Sequence, residues 1–387
     1  MKTRSILAAL SILMVLVLAK ASYGYIGLCC GKCGGNMPMN IPGGGVPETH
    51  EVRFKIQPTF MKMEGLRDGT DSVSATSLLG MPAAGKFMAV PERMDMQMLN
   101  LAVGYSFTDD FFAGLMFMWM KKEMDMKFNS MMTSSTGRPG FTMESYGMAD
   151  TMLMTKYRLY TDDPLIPTSQ VSLLLGLILP TGSIDEKNKD HPVEARRKEL
   201  LPYGMQLGGG TFDPILGILY QGSSTPWWWG VNLTYIPRFY DNPRDWHWGS
   251  EFRYDLYGMY QFRYDMVAYA QLNGKVQGKV QGEMDAAADG SSGRATIGDP
   301  TSNYTSPTWD PDNYGGHIIH TTFGLQWQPV PLHILDVGVS LPVYQDLNGP
   351  QMEEDWKIMF TWYVEIPTPS SIRYTGKQKQ GRSRLGF

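Results

Sequence analysis

Past Ala19 the chain contains no apolar run long enough for a membrane helix, which needs about 20 residues. Charge of one sign is not in excess either: 34 Lys and Arg stand against 38 Asp and Glu, a net charge of −4. That balance gives no electrostatic basis for binding nucleic acid. Cysteine is scarce, at 3 in 387 residues, and all three fall at 29–33. No local pattern of Ser and His points to a hydrolase, which argues against catalysis.

The one long apolar run is N-terminal. Lys2 and Arg4 precede Ile6–Ala19, and the small residues Ala19, Ala21, Ser22 and Gly24 follow. This pattern predicts a secretory signal peptide over 1–24, too short for a stable anchor. Leu28 stands where lipidation of Cys29 would need a small residue, so a lipoprotein is not expected. An exported chain without helical spans is either soluble or a β-barrel, whose strands need only about 10 residues each.

What the chain does have is methionine (28), glycine (42) and aromatics (10 Trp, 20 Tyr, 16 Phe). In GLMFMWMKKEMDMKF (114–128), methionine recurs at every second residue over much of the run. A helix would scatter those side chains, whereas a strand puts them on one face and Leu115, Phe117 and Trp119 on the other. Alternating segments recur twelve times, near 51–64, 92–107, 111–127, 145–160, 169–180, 209–220, 227–237, 247–262, 265–277, 317–328, 332–343 and 355–366. Their links alternate short and long, the last long one at 344–354. An outer-membrane barrel has short periplasmic turns, longer extracellular loops and an even strand number, and a soluble sandwich has no reason for that rhythm. The fold class expected is therefore all-β: a 12-stranded antiparallel transmembrane β-barrel over 51–366. A periplasmic Cys/Met/Gly-rich segment (25–50) precedes it and a basic, solvated tail (367–387) follows. Trp227, Trp229, Trp248, Tyr254, Trp327, Trp356 and Trp362 are the expected outward girdle. Outer-membrane lipids and the barrel assembly machinery are the partners this implies, in the outer membrane of a Gram-negative bacterium.

Register then assigns side chains to lipid or lumen. Val52, Phe54, Ile56, Leu101, Leu115 and Leu153 face outward. Met61, Met63, Met94, Met96, Met98, Met116, Met118, Met120, Met148, Met152 and Met154 face inward, gathered in the upper lumen. Inward polar residues are Arg53, Lys55, Asp150, Lys156 and Arg158, with Glu251, Arg253, Asp255, Asp336 and Lys357 opposite. A thioether wall has three readings: an adaptable track for small apolar solutes, a soft ligand set for Cu(I), or apolar filling of a closed barrel that interacts through its loops. The first is preferred. Cys29, Cys30 and Cys33, followed by Met37 and Met39, extend the soft-metal reading, since a C-x-x-C chelates metal or closes a disulfide. Cu(I) is the one cofactor considered. His317 and His320, three apart in a strand, fall on opposite faces, and Gly208-Gly209-Gly210 marks a bend or strand start.

LPTG (179–182), LPYGMQLGGGTFDPILGILYQG (201–222) and the upstream MADTMLMTKYRLY (148–160) resemble the outer-membrane transporter-like family named for the meta pathway of phenol degradation. The resemblance covers roughly residues 50–366. It implies a barrel that passes small, often aromatic compounds and has no catalytic signature. The methionine wall and the CCGKC segment depart from the family's usual pattern.

Overall fold

The computed structural model describes residues 37–164, 167–284, 292–299 and 301–374. The leader, Cys29, Cys30 and Cys33, and the tail beyond Tyr374 lie outside the described residues. The first strands are β1 (Glu51–Gly69), β2 (Asp71–Val73), β3 (Ala89–Ser106), β4 (Phe111–Phe128) and β5 (Gly140–Met148). They are followed by β6 (Thr151–Thr161), β7 (Ser169–Leu179), β8 (Asp213–Ser224), β9 (Trp227–Ile236) and β10 (Trp246–His247). The last are β11 (Glu251–Arg263), β12 (Met266–Gln277), β13 (Gln281–Gly282), β14 (Gly316–Val330) and β15 (His333–Pro367).

Each barrel strand pairs antiparallel with its sequence neighbours, and β15 closes the ring on β1. Eleven elements form that ring, while β2 hangs on β1, β5 extends the partner edge of β4, and β10 pairs with β13 among the loops. The difference from twelve separate strands lies in β15. This element of 35 residues runs unbroken through the expected loop at 344–354. Its first part pairs with β14, its second part with β1, and Leu347 is opposite both Gly316 and Gly69. Gly349, at φ +68, takes the left-handed conformation next to this reversal.

A second departure is a bulge. Trp119 pairs with Met148 and Met116 with Met152, so two residues of β4 oppose three between β5 and β6. The extra residue inverts the facing of everything before it. Reading 145–160 as one uninterrupted alternation placed Met148 in the lumen; it is 48% exposed on the outer face, beside Trp119.

Outward positions form a continuous apolar belt, with Phe54, Ile56, Leu101, Leu115, Phe117, Leu153, Leu216, Leu256, Phe323 and Leu341 all exposed. A belt of that extent is unstable against water and fits hydrocarbon. Trp227, Trp229, Trp327 and Trp362 are exposed with it. Trp248 is not: it sits among the loops, edge-on to Trp246 and Tyr314. Above the belt β1, β3, β4 and β5 extend as a hydrated flap whose outer face carries the ion pairs Arg93–Asp95, Lys127–Glu92 and Lys121–Glu144. Arg373, expected in a solvated tail, instead folds back to pair with Glu51 and Glu365.

Candidate functional site

The lumen holds a chamber of about 660 Å³ with a floor, two unlike walls and a roof. The floor is residues 37–47, which the sequence suggested would lie outside the barrel. Met37, Met39 and Ile41 are fully buried against inward-facing Leu174, Leu219, Tyr257, Met259, Tyr269, Ile334 and Tyr363. A backbone without regular structure at this depth needs partners for its carbonyls. Inward basic residues supply them. The Arg53 guanidinium donates to the carbonyls of Gly44 and Gly45, Lys55 Nζ donates to Met39 O at 3.0 Å, and Gln326 donates to Met37 O at 3.2 Å. Asn40 and Gln271 exchange side-chain amide hydrogen bonds of 3.0 and 2.8 Å. Arg158 and Lys156 stand near this end, Arg158 on Asp110 at 2.6 Å and Lys156 on Gln221 at 3.2 Å. Asp336 accepts from the Tyr269 hydroxyl at 3.2 Å.

One wall is methionine. Met61, Met63, Met94, Met96 and Met98 line the chamber, joined by Met124, Met352 and Met359. Several stand directly opposite one another across neighbouring strands: Met61 and Met96, Met63 and Met94, Met94 and Met124. Met98 of the lining is paired likewise with Met120, and Met116 with Met152, these three partners lying outside the chamber lining. Met98, Met118 and Met120 pack with Ala149 and Leu207. Gly114 faces Met154 on the same inner surface. Met126, Met143 and Met205 are buried with Leu66, Val90, Phe128 and Leu201, and fill the space between the flap and the loops. The thioethers thus divide between a cavity lining and a packed core.

The facing wall is polar. Glu251 accepts from Arg253, and Asp255 accepts from Asn232 at 3.0 Å and from Asn273 at 2.7 Å. His320 and Glu354 are 2.7 Å apart, while His317 points the other way, 2.9 Å from the Tyr254 hydroxyl. Lys275 and Lys357 complete this side. Sequence reasoning missed Lys275, His320, Glu354, Met124, Met352 and Met359 as lining residues. The same two-residue register, extended to the strand ends, marks Lys275, His320 and Met124 as inward.

The roof is the in-folded loop 180–212 together with residues Thr308 to Gly315. Lys122 donates from the inner wall to Gly204 O at 2.9 Å and Gln206 O at 2.6 Å, and Ser145 Oγ donates to Met205 O at 2.7 Å. Asp150, at the bulge, accepts from the amides of Gly182 at 2.9 Å and Gly209 at 2.7 Å. A Cβ on Gly208 would stand 2.5 Å from that carboxylate, which is why glycine is needed there. So MAD, LPTG and LGGG, far apart in sequence, meet at one joint. Farther along the loop, His191 lies edge-on to Phe141 at 4.5 Å and accepts from Val193 N–H through Nδ1 at 3.0 Å. Burial, then Arg196 and Arg197, push its pKa down to about 4.

No family model and no curated protein matches the sequence. Among solved structures, an outer membrane channel from Pseudomonas putida F1 aligns with a TM-score of 0.52 at 13% identity, over 83% of this chain and 97% of that one. The NanC porin aligns at 0.39 and 10% identity, over 81% and 100% of the two chains. The P. putida toluene transporter TodX aligns at 0.36 and 8% identity, over 82% and 91%. The first of these likenesses reaches the level at which a shared fold is established: the chain is a closed antiparallel β-barrel of the outer-membrane type.

Proposed function

We propose that the protein is a passive channel for small, largely apolar or aromatic solutes in the outer membrane of a Gram-negative bacterium. The observation that carries this reading is the chamber wall of facing methionines, a flexible and polarizable surface suited to varied apolar shapes. A volume of about 660 Å³ also lies in the range of small-molecule sites, roughly 300–1,000 Å³. In this reading the two halves of β15 count as two staves, giving twelve, and the turn end faces the periplasm. The signal peptide and the barrel assembly machinery deliver the chain. Likeness to the family named for the meta pathway of phenol degradation supports the solute class. The test is uptake of toluene by cells expressing the protein against cells lacking it; equal rates refute the reading.

Soft-metal handling is the second reading, favoured by methionine pairs directly opposite across strands, where Cβ atoms stand roughly 4.5–5.5 Å apart. Met37 and Met39 do not serve it from outside the barrel, since both are enclosed by aliphatic and aromatic side chains in the floor. Cu(I) titration of the purified barrel separates the readings, because an apolar track leaves the metal unbound.

A further inference from the structure

The polar wall of the chamber is unevenly satisfied. Arg253 has Glu251, His320 has Glu354, and Asp255 is held by two amides. Among the described residues no hydrogen bond or ion pair reaches Lys275 or Lys357. Two half-buried ammonium groups therefore face the cavity without a hydrogen-bond acceptor, although Glu251 and Glu354 lie near Lys275, and Glu354 and Asp255 near Lys357. Lys275 moreover stands directly opposite Arg253 across β11 and β12, a like-charge pairing that destabilises a sheet and that the nearby Glu251, already bonded to Arg253, offsets only in part. Lys357 stands directly opposite Met61 across β15 and β1, where the cationic wall meets the thioether wall.

We propose that the chamber selects monoanionic amphiphiles, with a carboxylate seated between Lys275 and Lys357 and an apolar body lying on Met61, Met63, Met94 and Met96. This rests on the apolar-solute reading above and adds to it a preference for hydrophobic acids over neutral solutes with the same apolar body. The carboxylate supplies the acceptors both lysines lack and relieves the repulsion between Lys275 and Arg253. The alkyl or aryl body needs no polar partner and packs on side chains that adapt to its shape.

The test compares dodecanoate with dodecanol, which share a chain and differ in the charged head. Binding is measured by equilibrium dialysis on the protein in phosphatidylcholine nanodiscs, with empty nanodiscs as the blank. Dodecanoate is expected to bind more tightly by roughly tenfold or more. Lys275→Met and Lys357→Met should each lose roughly that factor for dodecanoate and leave dodecanol unchanged. Lys275→Arg should retain the preference, and heat-modifiable migration verifies that each variant is folded. Equal wild-type affinity for acid and alcohol, or equal losses for both in the variants, overturns the anion site while leaving the apolar path intact. Failure of both probes to bind overturns the apolar path and the anion site together.

Discussion

Lys122→Met should release the roof of the chamber. In the wild type the ammonium is buried and donates to two loop carbonyls, Gly204 O at 2.9 Å and Gln206 O at 2.6 Å. Hydrogen bonds from a charged donor contribute about 1.5–3 kcal/mol each, and losing the donor leaves buried carbonyls unsatisfied. Burying the ammonium itself is unfavourable, so part of that gain is already offset. A net loss of about 2–3 kcal/mol is therefore expected, which shifts the opening equilibrium of the loop roughly 30- to 150-fold. Native-state hydrogen exchange reads this quantity directly, because amides in a local opening unit exchange in proportion to its population. The reporter is a peptide covering 200–210, with the Leu207 amide, bonded to Ser183 O at 2.9 Å, as its internal marker. Exchange in β7 and β8 should stay slow. Unchanged protection over 200–210 in a folded Lys122→Met barrel would refute the idea that this lysine holds the loop inward.

Other expectations follow from the floor, the wall, the loop and the ring. Arg53→Met removes the clamp on Gly44 O and Gly45 O and should raise single-channel conductance in a planar bilayer; an unaltered trace means the floor is held by its apolar contacts alone. Replacing Met94, Met96, Met116, Met118, Met152 and Met154 by Leu costs under about 1.5 kcal/mol per site, so toluene uptake should persist, whereas Cu(I) binding, if that reading is right, should collapse. His191 has its folded pKa depressed to about 4 from 6.5, so it contributes stability that is present above pH 6.5 and lost as pH falls through about 4. Protease protection of the 188–199 segment should fall across that window, and His191→Phe should flatten the dependence. An unboiled sample in mild SDS should migrate differently from a boiled one, because a closed ring leaves no free strand edge.

The facing of the methionines was legible because two-residue periodicity is a local property. Leu115, Phe117 and Trp119 on one side and Met116, Met118 and Met120 on the other need only an extended backbone. Met148 was misread because periodicity carries no mark of a bulge. The extra residue at Ala149-Asp150 is accommodated by distant groups, the Gly182 and Gly209 amides, that bond the Asp150 carboxylate. The strand at 344–354 was read as a loop because Asn348, Gly349 and Pro350 resemble turn residues, and they do turn the chain, but only within three residues. Cys29, Cys30 and Cys33 lie outside the described residues, so the soft-metal motif gains no structural partner here.

The floor was the least legible feature, and the reason is physical. Its socket is built from inward-facing Leu174, Leu219, Tyr257, Tyr269 and Tyr363, each on a different strand or a different part of one, so no single segment looks unusual. Arg53 and Lys55 were read only as lumen polarity, which missed their use, and Lys122 was not singled out. All three donate to backbone carbonyls of segments that are not strands: Gly44 and Gly45, Met39, and Gly204 with Gln206. Within the hydrocarbon zone, irregular backbone survives only where protein satisfies it. Long cationic side chains suit that role, since each reaches from the wall and serves acceptors on a chain crossing the lumen. By that reasoning Lys275 and Lys357 differ in kind from the clamps: they reach into the same lumen, and among the described residues no crossing segment bonds to them.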